Sequence, residues 1–212
     1  MRESPDRRRT GRPATVDSDD VLRAAVRLVR SEGFAALSMR RLGSELGVDA
    51  MVAYRLFASK ETLLDAAYRY IVAASEPVSS GDPITDVMVA FGNFWHDLVE
   101  HPGLVPLMTP RMLATEAAME PFEWVMARLV DAGLTVDTAL TWYTTLLSFV
   151  LGSVAIHPNV QQRQNRIDPN ALPSKLYPII SAIDRPIDHE HLFTTGLERL
   201  ELRIRNDIAE DN

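Results

Sequence analysis

The chain has 212 residues, 46% of them hydrophobic and 24% charged, with a net charge of −7 and no cysteine. That is ample for a buried core, and it excludes a disulfide framework and any thiolate metal site. The charge is uneven: 13 basic and 10 acidic residues stand in 1–75, against 9 and 19 in the remainder, so a basic first third precedes an acidic body.

Residues 1–16 form a basic arm with Arg2, Arg7, Arg8, Arg9 and Arg12, expected to be disordered when free. The opening MRESPDRRR has no apolar core, which predicts no secretory signal. A first helix follows, capped by Asp17 or Ser18. Its positions Val21, Leu22, Ala25, Leu28 and Val29 repeat at helical spacing, and Gly33 ends it. Phe34 and Leu37 are placed to plug the next junction.

From Leu37 to Leu64 the pattern is two short helices and a tight turn, then the start of a third. Ser38 is a suitable N-cap, because its hydroxyl can accept a free backbone N–H. Leu42 and Leu46 share a face, and Gly47 can enter the left-handed region that closes the helix. Asp49 caps the next helix, which carries Val52, Ala53 and Tyr54. This is the layout of a helix-turn-helix, whose second helix enters the DNA major groove. Ser59 then caps a longer helix through Leu63, Leu64, Ala67, Tyr68 and Ile71. Residues 77–83, PVSSGDP, mark a break. The expected division is an arm at 1–16, a DNA-binding head at 17–75 and a helical body at 76–212.

The body reads as all helix. Ile84 to Glu100 forms one helix and Leu104 to Met108 a short segment. Arg111 to Asp131 is expected in two pieces, because Pro121 would break a continuous helix. Thr135 to His157 is long and largely apolar. Its most apolar part, Leu146 to Ile156, is short of the roughly 20 residues that cross a bilayer, so no membrane partner is expected. Residues 159–173 read as a loop. Ser174 to Ile183 reads as a helix kinked at Pro178, and Asp188 to Ile208 as the last helix. The long helix and the last helix carry more apolar surface than one small body can cover, which points to a second copy of the chain.

Several residues carry the head's chemistry. Arg40 could grip a guanine bidentately through O6 and N7, or lie on phosphate. Arg41 faces solvent or phosphate. Asp49, Ala50, Met51 and Val52 open the recognition helix. The last three lack polar ends, so they could sense only thymine methyls or groove shape. Tyr54 could donate to phosphate or pack in the head. Arg55 could reach base or phosphate. Lys60, at a helix start, suits a phosphate. The arm arginines could enter the minor groove. In the body, Phe94, Met108, Met112, Trp142 and Leu146 are the first choices for lining an apolar pocket, with ordinary core packing as their alternative.

No nucleophile–base pair, phosphate-cradling glycine loop or metal-ligand cluster stands out, so no enzyme, cofactor or metal is expected. Glu116 and Glu120 read as helix surface. His189 and His191, two apart on a helix, do not share a face.

The head resembles the tetracycline-repressor family of bacterial regulators. The carriers are Gly33-Phe34, Leu37-Ser38-Met39-Arg40-Arg41-Leu42, Leu46-Gly47-Val48, Tyr54, Phe57 and Ser59-Lys60-Glu61-Thr62-Leu63-Leu64. The body is similar to the tetracycline repressor's own type of C-terminal domain, through Phe149 with Leu151-Gly152 and Phe193 with Gly196-Leu197-Glu198. The resemblance implies an all-α homodimer joined through its last two long helices. It implies a cytoplasmic repressor on a two-fold double-stranded DNA operator, relieved by a small molecule in the body. Leu107 and Ile156 stand where the tetracycline repressor holds its magnesium ion and a water in that ion's outer shell. Neither can do so, so an apolar effector without metal is expected. Leu56 stands where many members carry histidine. The alternative is a ligand-binding dimer whose DNA recognition is lost or altered, which the apolar Ala50, Met51 and Val52 keep open.

Overall fold

The structure, a computed structural model, describes residues 16–74, 79–108, 111, 115–157, 173–182 and 187–211. Residues 1–15 of the expected arm, Met112 and nearly all of the 159–173 loop lie outside the described residues. Those described form helices and turns, with no strand among them.

The head contains α1 (Ser18–Glu32), α2 (Met39–Leu46) and α3 (Ala50–Leu56), followed by α4 (Lys60–Ala73). Polar side chains set the starts. Asp17 caps α1 in a reciprocal box with Asp20, and Ser59 caps α4 in another with Thr62. Leu28, Leu37, Leu42, Leu63 and Leu64 close the core between them.

The body is α5 (Pro83–Glu100), the four-residue α6 (Val105–Met108), α7 (Met119–Asp131), α8 (Val136–Ile156) and α9 (His189–Asp211). Asp82 caps α5 through the Ile84 N–H, and Pro83 takes the first helical position, where a missing N–H costs nothing. An aromatic stack locks α5, α8 and α9 together. Trp95 lies flat on Phe193 at 4.2 Å and Phe193 on Phe149 at 5.5 Å, while the Trp95 indole donates to Ser153 Oγ at 3.1 Å. Gly196 makes this possible, because a β-carbon there would lie 2.4 Å from the Phe149 ring. Arg205 of α9 reaches back to Asp82 at 2.6 Å.

Two expectations need correction. Pro121 does not break its helix. It is the third residue of α7, in the first turn, where backbone N–H groups have no intrahelical acceptor. The irregularity falls earlier, in a 3-10 turn at Glu116–Ala118. Residues 174–182 are not a kinked helix but turns ending in a 3-10 turn at Ile180–Ala182. Pro178 lacks a donor and pushes Tyr177 away from helical geometry. By length and composition α8 as a whole is long and apolar enough to cross a membrane, as the core helix of a soluble protein can also be, whereas Leu146–Ile156 alone is not. It packs on α5, α7 and α9 yet leaves most of its apolar window uncovered.

Candidate DNA interface and body cavity

The geometry of the head starts at a glycine. Gly43 of α2 lies so close to the turn that a β-carbon would stand 2.9 Å from both the Ala50 nitrogen and the Val48 oxygen. Its carbonyl accepts the Val48 N–H at 2.9 Å. Gly47 closes α2 with φ of 67°, in the left-handed region. Ser38 accepts the Arg41 N–H, and the Asp49 carboxylate accepts the Met51 N–H at 2.8 Å. The turn therefore holds α2 and α3 at one fixed crossing.

On this frame Met51 is 70% exposed and Tyr54 50%, and Arg55 is also exposed. Positions 51, 54 and 55 share a face of α3. Ala50 and Val52 are half-buried and Asp49 is exposed as the cap. Leu56 packs against the core. Neighbouring arginines on α2 differ sharply. Arg40 is exposed, with no side-chain partner among the described residues. Arg41 is held at home by Glu32 at 2.8 Å and Glu45 at 3.1 Å. Lys60 begins α4, its ammonium 5.3 Å from the centre of the Phe34 ring.

Head and body are joined by contacts that sequence reasoning missed. Gly103, in the 3-10 turn after α5, nests against the end of α1. A β-carbon there would lie 2.5 Å from the Val29 oxygen and 2.6 Å from the Gly33 Cα. Arg30 of α1 pairs with Asp97 of α5 at 2.7 Å. Arg111, buried just past α6, binds Glu61 at 2.6 Å and Asp65 at 3.2 Å on α4, and also the Leu107 carbonyl. The available signal was a lone arginine in an apolar stretch.

The body holds a small, half-open apolar cavity of about 60 Å³. Tyr68 and Val72 of α4, Phe91 and Phe94 of α5, Trp124 of α7 and Tyr143 and Leu147 of α8 line it. Of the expected pocket residues Phe94 is in this wall. Met108 and Leu146 are fully buried elsewhere in the core, and the Trp142 indole donates to Asp207 of α9 at 2.9 Å. Burial raises the Tyr143 phenol to about 12, and burial beside Tyr143 raises Tyr68 further, so both stay protonated at neutral pH. Among the described residues no group of three or more acidic or histidine side chains is placed to hold a metal.

A helix-turn-helix with an exposed reading face, joined to a helical body with a half-open cavity, is the build of a one-component DNA-binding regulator. Residues 21–67 match the family described as bacterial regulatory proteins, tetR family, and residues 81–200 match the tetracyclin repressor-like C-terminal domain. The chain belongs to that family. It is 32% identical over 139 residues to an HTH-type transcriptional regulator of Saccharopolyspora erythraea, covering 65% of this chain and 59% of that one. It is 26% identical over 220 residues to the HTH-type transcriptional repressor DrrR1 of Streptomyces coeruleorubidus, covering 90% and 77%. Apo ActR from Streptomyces coelicolor has the same fold, with a TM-score of 0.74 at 21% identity over 94% of this chain and 99% of that one. Its complex with actinorhodin gives 0.71 at 21% identity over 92% and 99%. BioQ, solved with its natural double-stranded DNA operator, gives 0.56 at 20% identity over 87% and 99%.

Proposed function

We propose that this chain is a ligand-responsive transcriptional repressor that binds a two-fold DNA operator as a homodimer and is released by an apolar small molecule. The observation that carries this reading is α4. It begins beside the recognition helix with Lys60, and its side chains Tyr68 and Val72 form one wall of the body cavity. A ligand there acts on the helix that carries the head. The repressor DrrR1, the operator-bound BioQ and the actinorhodin-bound ActR support the three parts of the proposal.

In this reading Arg40 and Arg55 touch base edges, Met51 senses a thymine methyl, and Tyr54 and Lys60 hold phosphates. The Asp49 carboxylate stays on its helix cap, and Ala50 and Val52 shape the approach to the groove. The uncovered faces of α8 and α9, with Leu140 and Leu202 among their exposed residues, meet those of a second copy. The dimer sets the two heads about 34–36 Å apart, one turn of DNA. The cavity is far below the ~300 Å³ typical of a ligand site. Ligand binding therefore favours an expanded body, and the two body states hold the heads at different separations. The protein acts in the cytoplasm, where its DNA is.

The test is fluorescence anisotropy of a labelled operator duplex, with sedimentation analysis of the free protein. A dimer that binds specifically and is displaced by an apolar ligand is the expected result. A monomer, or binding that depends on salt but not on sequence, contradicts it.

A further inference from the structure

The reading face carries a chemistry that DNA contact alone does not use. Met51, the second residue of α3, is 70% exposed. Its amide is pinned by the Asp49 carboxylate at 2.8 Å, while its side chain stands in solvent. No other described methionine is so open. Met39, Met88 and Met108 are buried, Met126 packs against the core, and Met119 at the start of α7 is 43% exposed. The chain has no cysteine. With no thiol to intercept a two-electron oxidant, the exposed thioether is the open target. Oxidation turns that apolar group into a polar, chiral sulfoxide. In the major groove thymine presents a methyl group and the O4 acceptor. A sulfoxide oxygen is itself an acceptor, so beside a thymine it loses its water and finds no donor. Ala50 and Val52 offer none from their side chains. Arg55, four residues on and on the same face of α3, could donate to it only by leaving the DNA.

We propose that Met51 is an oxidation site on the DNA-reading face: a peroxide converts it to the sulfoxide, and the oxidised protein no longer holds its operator. The inference rests on the reading of α3 as the recognition helix, and it adds an input to the head that is separate from the body ligand. The step balances. The thioether sulfur attacks one peroxide oxygen, the O–O bond breaks, one oxygen stays on sulfur and the other leaves as water. Sulfur is oxidised by two electrons and the peroxide is reduced by two. The change is reversible, because methionine sulfoxide reductases act on both epimers. On the operator Met51 is covered by the groove, so the oxidant acts on the free protein and prevents rebinding.

The test treats the full chain with graded hydrogen peroxide, maps sulfoxides by peptide mass spectrometry and follows a labelled operator duplex by anisotropy. Met51 should be oxidised ahead of the buried Met39, Met88 and Met108, and operator affinity should fall about tenfold in step with it. Operator added beforehand should slow the reaction at Met51, and the two sulfoxide reductases should restore binding. Met51→Leu has no sulfur at this place, so its affinity, whatever its starting value, should not change with peroxide. Met119→Leu should lose binding on oxidation as the wild type does. Loss of binding by peroxide-treated Met51→Leu overturns the inference. So does a Met51 that stays reduced while Met119 reacts, or an unchanged wild-type affinity with Met51 fully converted. Met51→Gln, measured without oxidant, judges the underlying reading separately. Weaker binding by this variant, with Met51 of the wild type resistant to peroxide, would sink the oxidation site and leave the reading face standing. Binding as tight as the wild type would take Met51 out of the groove, and the oxidation site would fall with it.

Discussion

The two working regions of this molecule are prepared to different degrees. The head is finished before it meets DNA: Gly43 and Gly47 fix the crossing of α2 and α3, Ser38 and Asp49 cap them, and Arg40, Met51, Tyr54 and Arg55 already stand in solvent. The body cavity, at about 60 Å³, is still small. A reading head gains specificity from rigidity, because each misplaced donor loses its base edge. A sensor needs a second state for its ligand to select. The difference assigns recognition to the caps and glycines of the head, and response to the cavity walls on α4, α5, α7 and α8.

The sharpest way to break the rigid half is Gly43→Val. The added side chain meets backbone at the turn, not a flexible side chain. Specific DNA binding should disappear, with stability lowered by about 1–3 kcal/mol, as read by anisotropy and a thermal melt. Unchanged binding would show that the crossing is not fixed as described. Gly103→Val should act next, since a β-carbon would collide with the Val29 carbonyl and Gly33. It would pry head from body. DNA affinity should fall less than for Gly43→Val, while release by ligand is lost. Release that survives in this variant would place the coupling elsewhere.

The paired arginines of α2 give a finer test. Arg40→Ala should cost about 1–3 kcal/mol at one base pair and relax choice there. Arg41→Ala should change binding little, because Glu32 and Glu45 already hold its guanidinium. Tyr54→Ala and Lys60→Ala should weaken all sequences alike, and Lys60→Ala alone should flatten the salt slope. If Arg41 proves the more important of the two, the intramolecular pairs must yield to DNA.

The smallest effect concerns acid. The Arg205 hydrogen bond, aided by Thr85 and the Ile84 N–H, lowers Asp82 from its usual 3.8 to about 2. A carboxylate depressed in the folded state stabilises above its unfolded value, and that contribution is lost as pH falls through the folded one. The clasp from α5 to α9 should therefore hold above about pH 4 and fade towards pH 2. Because the Asp82 side chain is 43% exposed, solvent screens the pair and the loss is small. A melt series in Asp82→Asn against wild type should converge at the acid end. A constant gap between the two would refute the assignment.

How much was legible beforehand divides along the same line. Caps and stops announce themselves locally, so Ser38, Gly47, Asp49 and Ser59 were readable one by one, and the head followed from them. The proline at 121 misled because its effect depends on its place in the helix. In the first turn it is harmless. Arg41 was expected on solvent or phosphate, and its ion pair with Glu32, nine residues back and on another helix, could not be read from the chain. Gly43, Gly103 and Gly196 matter through what passes close to them in space, and that is invisible in a chain without its fold. The cavity was harder still. Tyr68 has ordinary core spacing on α4, and only the packing shows that it lines a cavity.

The most direct test of a dimeric DNA reader is selection of bound sequences from a random duplex pool, followed by sequencing. The expected result is a two-fold symmetric site with half-sites centred about one helical turn apart, and a relaxed position in each half when Arg40→Ala is used. Enrichment of no sequence, with only weak salt-sensitive binding, would contradict it.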